Sequence, residues 1–218
     1  LCANGVRHGP NMATGCSGSY SIFTSWALYH VPASDLWTYG TIQSSNGPID
    51  RIGVNFGARG TRRDDGGTTW LSYPNAGGPS PKVSIQVGTD KPEWFQIHPS
   101  RVKGDGLQWV AASGVKGVTS IKVPLFIGPS KKPIANRSFT IRLFFVSDSA
   151  ATPSDNVFNV IVQGKDVLRD FDVAQAAGEK EKMIVKEFKG IQAGRDLSVT
   201  FASTKGRTSI SGLEIVAE

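Results

Sequence analysis

The chain has 218 residues, a formal net charge of +6, 39% hydrophobic and 19% charged residues, and 25 Gly and 12 Pro. So low a charged fraction excludes a disordered chain, a coiled coil and a helical bundle. No apolar run reaches the roughly 18 residues a membrane-spanning helix needs, and Gly and Pro among many Val, Ile, Phe and Thr predict short strands joined by turns.

Residues 1–45 differ from the rest. They are rich in Ser, Gly and Asn and carry Tyr20, Phe23, Trp26, Tyr29, Trp37 and Tyr39 without regular alternation. We read them as an irregular extension, either the closing part of a preceding domain or a strap on the domain that follows over 46–218. The two cysteines, Cys2 and Cys16, both lie there. A pair isolated in one loop region fits a local disulfide and an oxidising compartment; two free thiols and a metal site are the alternatives. Zinc is poorly supported, because only His8 and His30 lie nearby to complete four ligands. The chain opens on Leu1 rather than Met and shows no signal peptide. It reads as a processed piece of a longer protein, so a secreted, periplasmic or cell-surface location is inferred indirectly.

The strands begin at RIGVNF (51–56), followed by the loop GARGTRRDDGGTTW. SYPNAGGPSP (72–81) is punctured by Gly and Pro and cannot be a helix. KVSIQV (82–87) alternates, as does TSIKVPLFI (119–127), where Ile121, Val123, Leu125 and Ile127 share a face. Pro124 demotes that strand to an edge or a bulge. In SFTIRLFFV (138–146), Phe139, Ile141, Leu143 and Phe145 point one way, while Thr140, Arg142 and Phe144 point the other. VFNVIVQ (157–163) turns through Gln163-Gly164-Lys165 into DVLRDFDV (166–173), since Gly tolerates positive φ. Residues 174–181 suit one or two helical turns. MIVKEFK (183–189), DLSVTFA (196–202) and SISGLEIVA (209–217) complete the set. Leu197, Val199 and Phe201 face inward. The predicted fold class is all-β: an antiparallel β-sandwich of about eight or more strands. No repeat of the solenoid or propeller kind appears.

Nucleophile, zinc-protease, phosphate-loop and dinucleotide signatures are all missing. His8, His30 and His98 sit in loop-like stretches with no acid and nucleophile beside them. Asp170 and Asp172 project to one face of a strand, which does not suit carboxylates that must flank a scissile bond from different sides. Asp64-Asp65-Gly66-Gly67 offers oxygens to a structural Ca²⁺ but lacks the alternating spacing of a dedicated loop. Cofactors are therefore expected to be none. Asn136-Arg137-Ser138 is a sequon, common by chance. Basic residues are dispersed, the densest groups being Arg59, Arg62 and Arg63; Lys131, Lys132 and Arg137; and Lys180, Lys182, Lys186 and Lys189. This pattern argues for solvated surface and against a nucleic-acid partner.

The run from Arg137 to Gly178, with KEFK and the closing GRTSISGLEIV, resembles the malectin or malectin-like family. The resemblance rests on Val157-Phe158-Asn159-Val160, the Gln163-Gly164 hairpin, Asp170-Phe171-Asp172-Val173 before Gly178, and RIGVNFG with its Asp-Gly loop. It spans about residues 50–217. It implies a jelly-roll sandwich of the galactose-binding-like type that holds sugar in loops at one end. The positions where the family carries adjacent aromatics and an acid read here Ser147-Asp148-Ser149 and Ser203-Thr204-Lys205-Gly206-Arg207. The family's disaccharide specificity therefore does not transfer, but the location does: loops 57–70, 147–156 and 203–208 should converge. More faintly, residues 1–45 resemble the tail of a quinoprotein-like propeller.

A sugar site pairs an aromatic platform with polar groups. Trp70 is the expected platform, with Trp109 second; Arg59, Asp65, Asp148, Asp155, Lys205 and Arg207 are the expected polar ligands. The arginines bias the site toward uronic or sulfated sugars. The expected function is a non-catalytic carbohydrate-binding module of a larger secreted or surface protein. Its partners would be a polysaccharide and a neighbouring domain, not nucleic acid or a membrane. The alternatives are an interaction domain packing on a propeller without sugar binding, and a polysaccharide-active enzyme with an unrecognised site.

Overall fold

The computed structural model describes residues 47–75, 83–129, 134–148 and 152–218. The expected 1–45 extension, its propeller likeness and the Cys2–Cys16 disulfide lie outside the described residues. The strands are β1 (Gly47–Pro48), β2 (Arg51–Phe56), β3 (Arg62–Arg63), β4 (Thr69–Tyr73), β5 (Gln86–Gln96), β6 (Ser113–Pro124), β7 (Phe126–Ile127), β8 (Arg137–Val146), β9 (Val157–Val162), β10 (Lys165–Asp172), β11 (Met183–Ala193), β12 (Asp196–Lys205), β13 (Ser209–Ile210) and β14 (Gly212–Ala217). Two short helices, α1 (Gln108–Ala111) and α2 (Val173–Ala177), lie between β5 and β6 and after β10.

Two six-stranded sheets form the sandwich. One runs β11-β8-β14-β2-β4-β3; the other runs β10-β9-β12-β6-β13, with β5 on the far side of β6. All pairs are antiparallel except β2 with β4, which are parallel. Alternation explains the packing: Phe139, Ile141, Leu143 and Phe145 of β8 are fully buried, as are Leu197 and Val199 of β12, with Phe201 nearly so. Each such side chain contributes about 1.5–3 kcal/mol relative to exposure. The Gln163-Gly164 hairpin forms as the sequence suggests, with Val162 opposite Lys165 and both loop residues at positive φ.

Three expectations need correction. KVSIQV does not form one strand: β5 starts only at Gln86, because Ile85 N–H bonds back to Val83 O at 2.9 Å. The strand carrying Pro124 is not an edge, since β6 pairs with β5 on one side and with β12 and β13 on the other. Pro124 is tolerated because it is the last residue of the strand and β5 reaches only Lys122. Asp170 and Asp172 do not form a solvated pair on one face. A register shift between Leu168 and Phe171 puts Asp170 at φ 46, while Asp172 is buried.

A second apolar layer covers the outer face of the β8 sheet. The connection from β5 to β6, including α1, brings Val102, Val110, Ala111 and Ala112 over Trp70, Phe144, Val146 and Met183. This layer fits because the strands beneath carry glycine. A Cβ on Gly53 would sit 2.4 Å from the Trp70 ring, and one on Gly212 would sit 2.4 Å from Val110. Beside it on the same outer face, Arg142 bridges Glu187 (2.6 Å) and the buried Glu214 (2.8 Å), which also accepts from Thr68.

Candidate functional site

The chain segments meeting at one end of the sandwich build a pocket of about 160 Å³. Its floor is apolar, with Phe95 and Ile97 from the β5 end and Val146 from the β8 end; its rim carries Lys116, Asp148, Asn156 and Arg207. Phe95 can lie there because its ring packs on Gly114, where a Cβ would be 2.4 Å away.

The walls are held by backbone hydrogen bonds. Ser147 Oγ donates to Glu179 O at 2.6 Å and accepts from Lys182 N at 3.0 Å. Asp172 takes the N-cap position of α2, where Oδ1 accepts from Ala174 N (2.8 Å) and Gln175 N (3.1 Å), and Oδ2 accepts from Ser154 N. This ties the loop before β9 to the end of β10 and uses both carboxylate oxygens structurally. Asn156 Oδ1 accepts from Arg207 N at 2.8 Å, which joins that loop to the β12–β13 turn.

The rim charges form a chain. Lys116 Nζ pairs with Asp148 and, at 3.1 Å, with Glu93; Glu93 pairs with Arg207 at 2.8 Å. Arg207 also donates to Lys91 O. Lys116 holds the Glu93 carboxyl below its ordinary 4.5; burial opposes this and Arg207 adds to it. Burial works against the charged Lys116, but its hydrogen bonds to Asp148 and Glu93 outweigh that and raise it above 10.5. The stabilisation from Glu93 is fully present above pH 4.5 and is lost as pH falls through its lower folded value; that from Lys116 is present below 10.5 and is lost only above it. Rim order is therefore expected to stay constant between roughly pH 5 and 9 and to fall in acid. Side-chain NMR of Lys116 against pH checks this; a change near neutrality would contradict it.

The structure brings together only part of the predicted site. Asp148 and Arg207 line the pocket. Asp155 and Lys205 do not. Asp155 accepts from Thr152 Oγ1 (2.6 Å) and N–H (3.0 Å), bonds that hold its exposed carboxyl below the usual 3.8. Lys205 is exposed at the end of β12. Asp65 is exposed in the 64–67 turn. Its neighbour Asp64 accepts from Thr68 N and Trp70 Nε1, both at 2.8 Å, so the carboxylate offered to calcium closes a loop instead. Among the described residues, no group of three or more His, Cys, Asp or Glu is gathered as a metal site.

Trp70, the expected platform, is a core residue with 0% exposure. Its ring meets Trp109 (5.7 Å, 80°) and Phe144 (5.2 Å, 83°) edge to face, and no face is open to a sugar. The three loops also do not all meet. Ser147, Asp148 and Asn156 share the pocket with Arg207, whereas Arg59 and the 57–62 stretch line a neighbouring groove. Phe95, Lys116 and Asn156 were missed; the half-buried Phe95 beside the exposed Trp94 in EWFQ was the available signal.

Residues 132–216 match the family model of the malectin domain. A β-glucuronidase from Bacteroides uniformis is similar over 77% of this chain and 18% of its own, at 15% identity and a TM-score of 0.57. The ANXUR2 extracellular domain from Arabidopsis thaliana is similar over 78% of this chain and 48% of its own, at 16% identity and 0.55. The plant FER structure, in complex with the peptide RALF23 and LLG2, is similar over 80% and 41%, at 18% identity and 0.50. The chain thus spans under a fifth of that enzyme and about half or less of those two plant structures, and the likeness shows a shared fold. No curated protein matches the chain. Among the described residues no helix is long and apolar enough to cross a membrane.

Proposed function

We propose that this chain, malectin-like in its C-terminal part, is a non-catalytic carbohydrate-binding module of a larger extracytoplasmic protein. Residues 1–45 would be an extension or the tail of a preceding domain, with the module over 46–218. The single observation that carries this reading is the convergence of Ser147, Asp148 and Asn156 with Arg207 on a pocket with an aromatic floor and a polar rim. An apolar floor takes the C–H face of a sugar, and rim donors and acceptors take its hydroxyls. Asp148, Asn156 and Arg207 would orient the ring, with Phe95 beneath it.

Charge selects the kind of sugar. Lys116 and Arg207 are each already paired with carboxylates, and Asp148 and Asp172 add negative charge to the lining. An acidic sugar would meet no spare cation there, so a neutral sugar fits this pocket better than the uronic or sulfated one expected from the sequence. The carboxylates are committed to ion pairing and helix capping, which supports binding rather than catalysis.

Asp148→Asn and Arg207→Gln should each weaken binding of a neutral oligosaccharide by about tenfold or more, the range of one charge-assisted hydrogen bond. Glycan-array screening followed by calorimetry measures this, with thermal unfolding as the control. A folded protein that retains no neutral saccharide would sink the reading.

One observation favours a second reading, an interaction domain for a protein partner. The pocket, about 160 Å³, is smaller than the ~300 Å³ at the low end of ordinary ligand pockets. The FER neighbour, solved with a peptide and a second protein, is consistent with that use of the fold.

A further inference from the structure

A groove of about 560 Å³ opens beside the end pocket and shares only Ile97 with it. It is lined by the 57–62 stretch, Gln96 at the end of β5 with Ile97 and His98 after it, and Trp109. Its charge differs from that of the pocket: Arg59, Arg62 and His98 line it, and no carboxylate does. Among the described residues neither arginine has an ion-pair partner, whereas Arg101, Arg137, Arg142, Arg169 and Arg207 each have one.

Both arginines are nonetheless held in place. Arg59 Nε donates to Gln96 Oε1 at 3.0 Å, and Gln96 Nε2 donates to Gly57 O at 2.6 Å. That uses one N–H of the guanidinium and leaves its terminal nitrogens for a ligand. The Arg62 guanidinium lies over the Trp109 ring, 4.7 Å from its centre. Stacking leaves the in-plane N–H groups at the edge, where they suit a planar or tetrahedral anion. Two oriented, unneutralised guanidinium groups in one groove form an anion site.

Two further rings lie close to residues that line the groove, Trp94 along the chain and Tyr73 by hydrogen bond. Gly57 N–H bonds to Tyr73 O at 2.7 Å, and the Tyr73 ring lies 6.3 Å from that of Trp94. Trp94 is 39% exposed and lies opposite Val115 on the face of β5 that also carries Gln96, while Phe95 turns into the end pocket. An exposed indole, backed by the half-buried Tyr73, beside two arginines matches a chain that offers apolar ring faces and anionic substituents together.

We infer that this groove binds an acidic polysaccharide. Arg59 and Arg62 pair with its carboxylate or sulfate groups, and Trp94 with Tyr73 carries the adjacent sugar faces. The site is separate from the end pocket and stands or falls independently of it.

Affinity electrophoresis in gels containing polygalacturonate, dextran sulfate or neutral dextran tests the inference at low salt, where charge contacts are least screened. The wild-type protein should be retarded by at least one acidic polymer and not by neutral dextran. Retardation by polygalacturonate alone assigns a uronate carboxylate; by dextran sulfate alone, a sulfate ester. Arg59→Ala/Arg62→Ala and Trp94→Ala should each weaken it about tenfold, equivalent to about 1.4 kcal/mol. Lys165→Ala/Lys189→Ala, which removes the same charge from exposed positions outside the groove, should leave it unchanged. Thermal unfolding confirms that each variant is folded. No retardation by either acidic polymer, an equal loss in the lysine variant, or equal competition by polyglutamate overturns the inference.

Discussion

Trp70→Ala is expected to lower stability by about 3–5 kcal/mol, and hence the unfolding temperature by roughly 10 °C for a domain of this size. The indole is fully buried, packs edge to face on Trp109 and Phe144, and donates to Asp64 Oδ2 at 2.8 Å. Truncation would empty the space between α1 and the glycines of β2 and β14, and the backbone cannot close that gap without moving the β5–β6 connection. It would also leave the Asp64 carboxylate with one partner fewer. Trp70→Phe, which keeps an aromatic ring but loses the N–H donor, should cost less, about 1–2 kcal/mol. Differential scanning calorimetry separates this from the role read from the sequence. An exposed sugar platform would lose binding on truncation with its unfolding temperature unchanged, and that result would refute the packing described here.

Gly206→Ala is expected to abolish neutral-sugar binding and to cost about 2–4 kcal/mol of stability. Gly206 has φ +66, and a Cβ there would lie 2.1 Å from Asp155 O and 2.6 Å from Asn156 Oδ1. The obstacle at Asp155 is backbone, so the β12–β13 turn must move away from the loop that precedes β9. That displacement would break the Arg207 N–H bond to Asn156 and carry Arg207 off the rim. Gly164→Ala is the matched comparison. Its φ is +79, but nothing lies within 4 Å of the new Cβ. It should cost only the conformational strain, about 1 kcal/mol, and leave binding intact. Equal effects of the two substitutions would show that the loops are not coupled through Gly206.

The wrong role for Trp70 has a definite cause. On β4 Trp70 faces away from the space between the sheets, since its neighbour Leu71 belongs to the inter-sheet core. Alternation therefore places the tryptophan outside, which is where a platform belongs. What removes it from solvent is the segment that leaves β5 and crosses over the opposite sheet, and neither α1 nor that crossing carries a periodic signal. The same crossing puts Trp109 under Arg62 rather than in the end pocket. That Asp148 and Arg207 lie at one end of the sandwich was legible because the resemblance fixed their loops. Phe95 and Lys116 were not, because they come from strands whose register with the loop end is settled only by pairing: Glu93 opposite Lys116, and Lys116 opposite Ser209.

From the residues alone came the fold class, the face of most strands that meets the core, the Gln163-Gly164 hairpin and a short helix after β10, which ends at Ala177 rather than running on to 181 because Gly178 caps it. These follow from backbone geometry with a period of two and from local turn chemistry, which act within a few residues and so are written in the chain. Tertiary structure alone decided which charges meet. Arg59, Arg62 and Arg207 are indistinguishable as residue types, yet Arg207 is neutralised by Glu93 while Arg59 and Arg62 meet no acid among the described residues. Electrostatic partnership depends on distances between segments far apart in sequence, as for Arg207 and Glu93 at a separation of 114, and only the packed sheets bring those segments together.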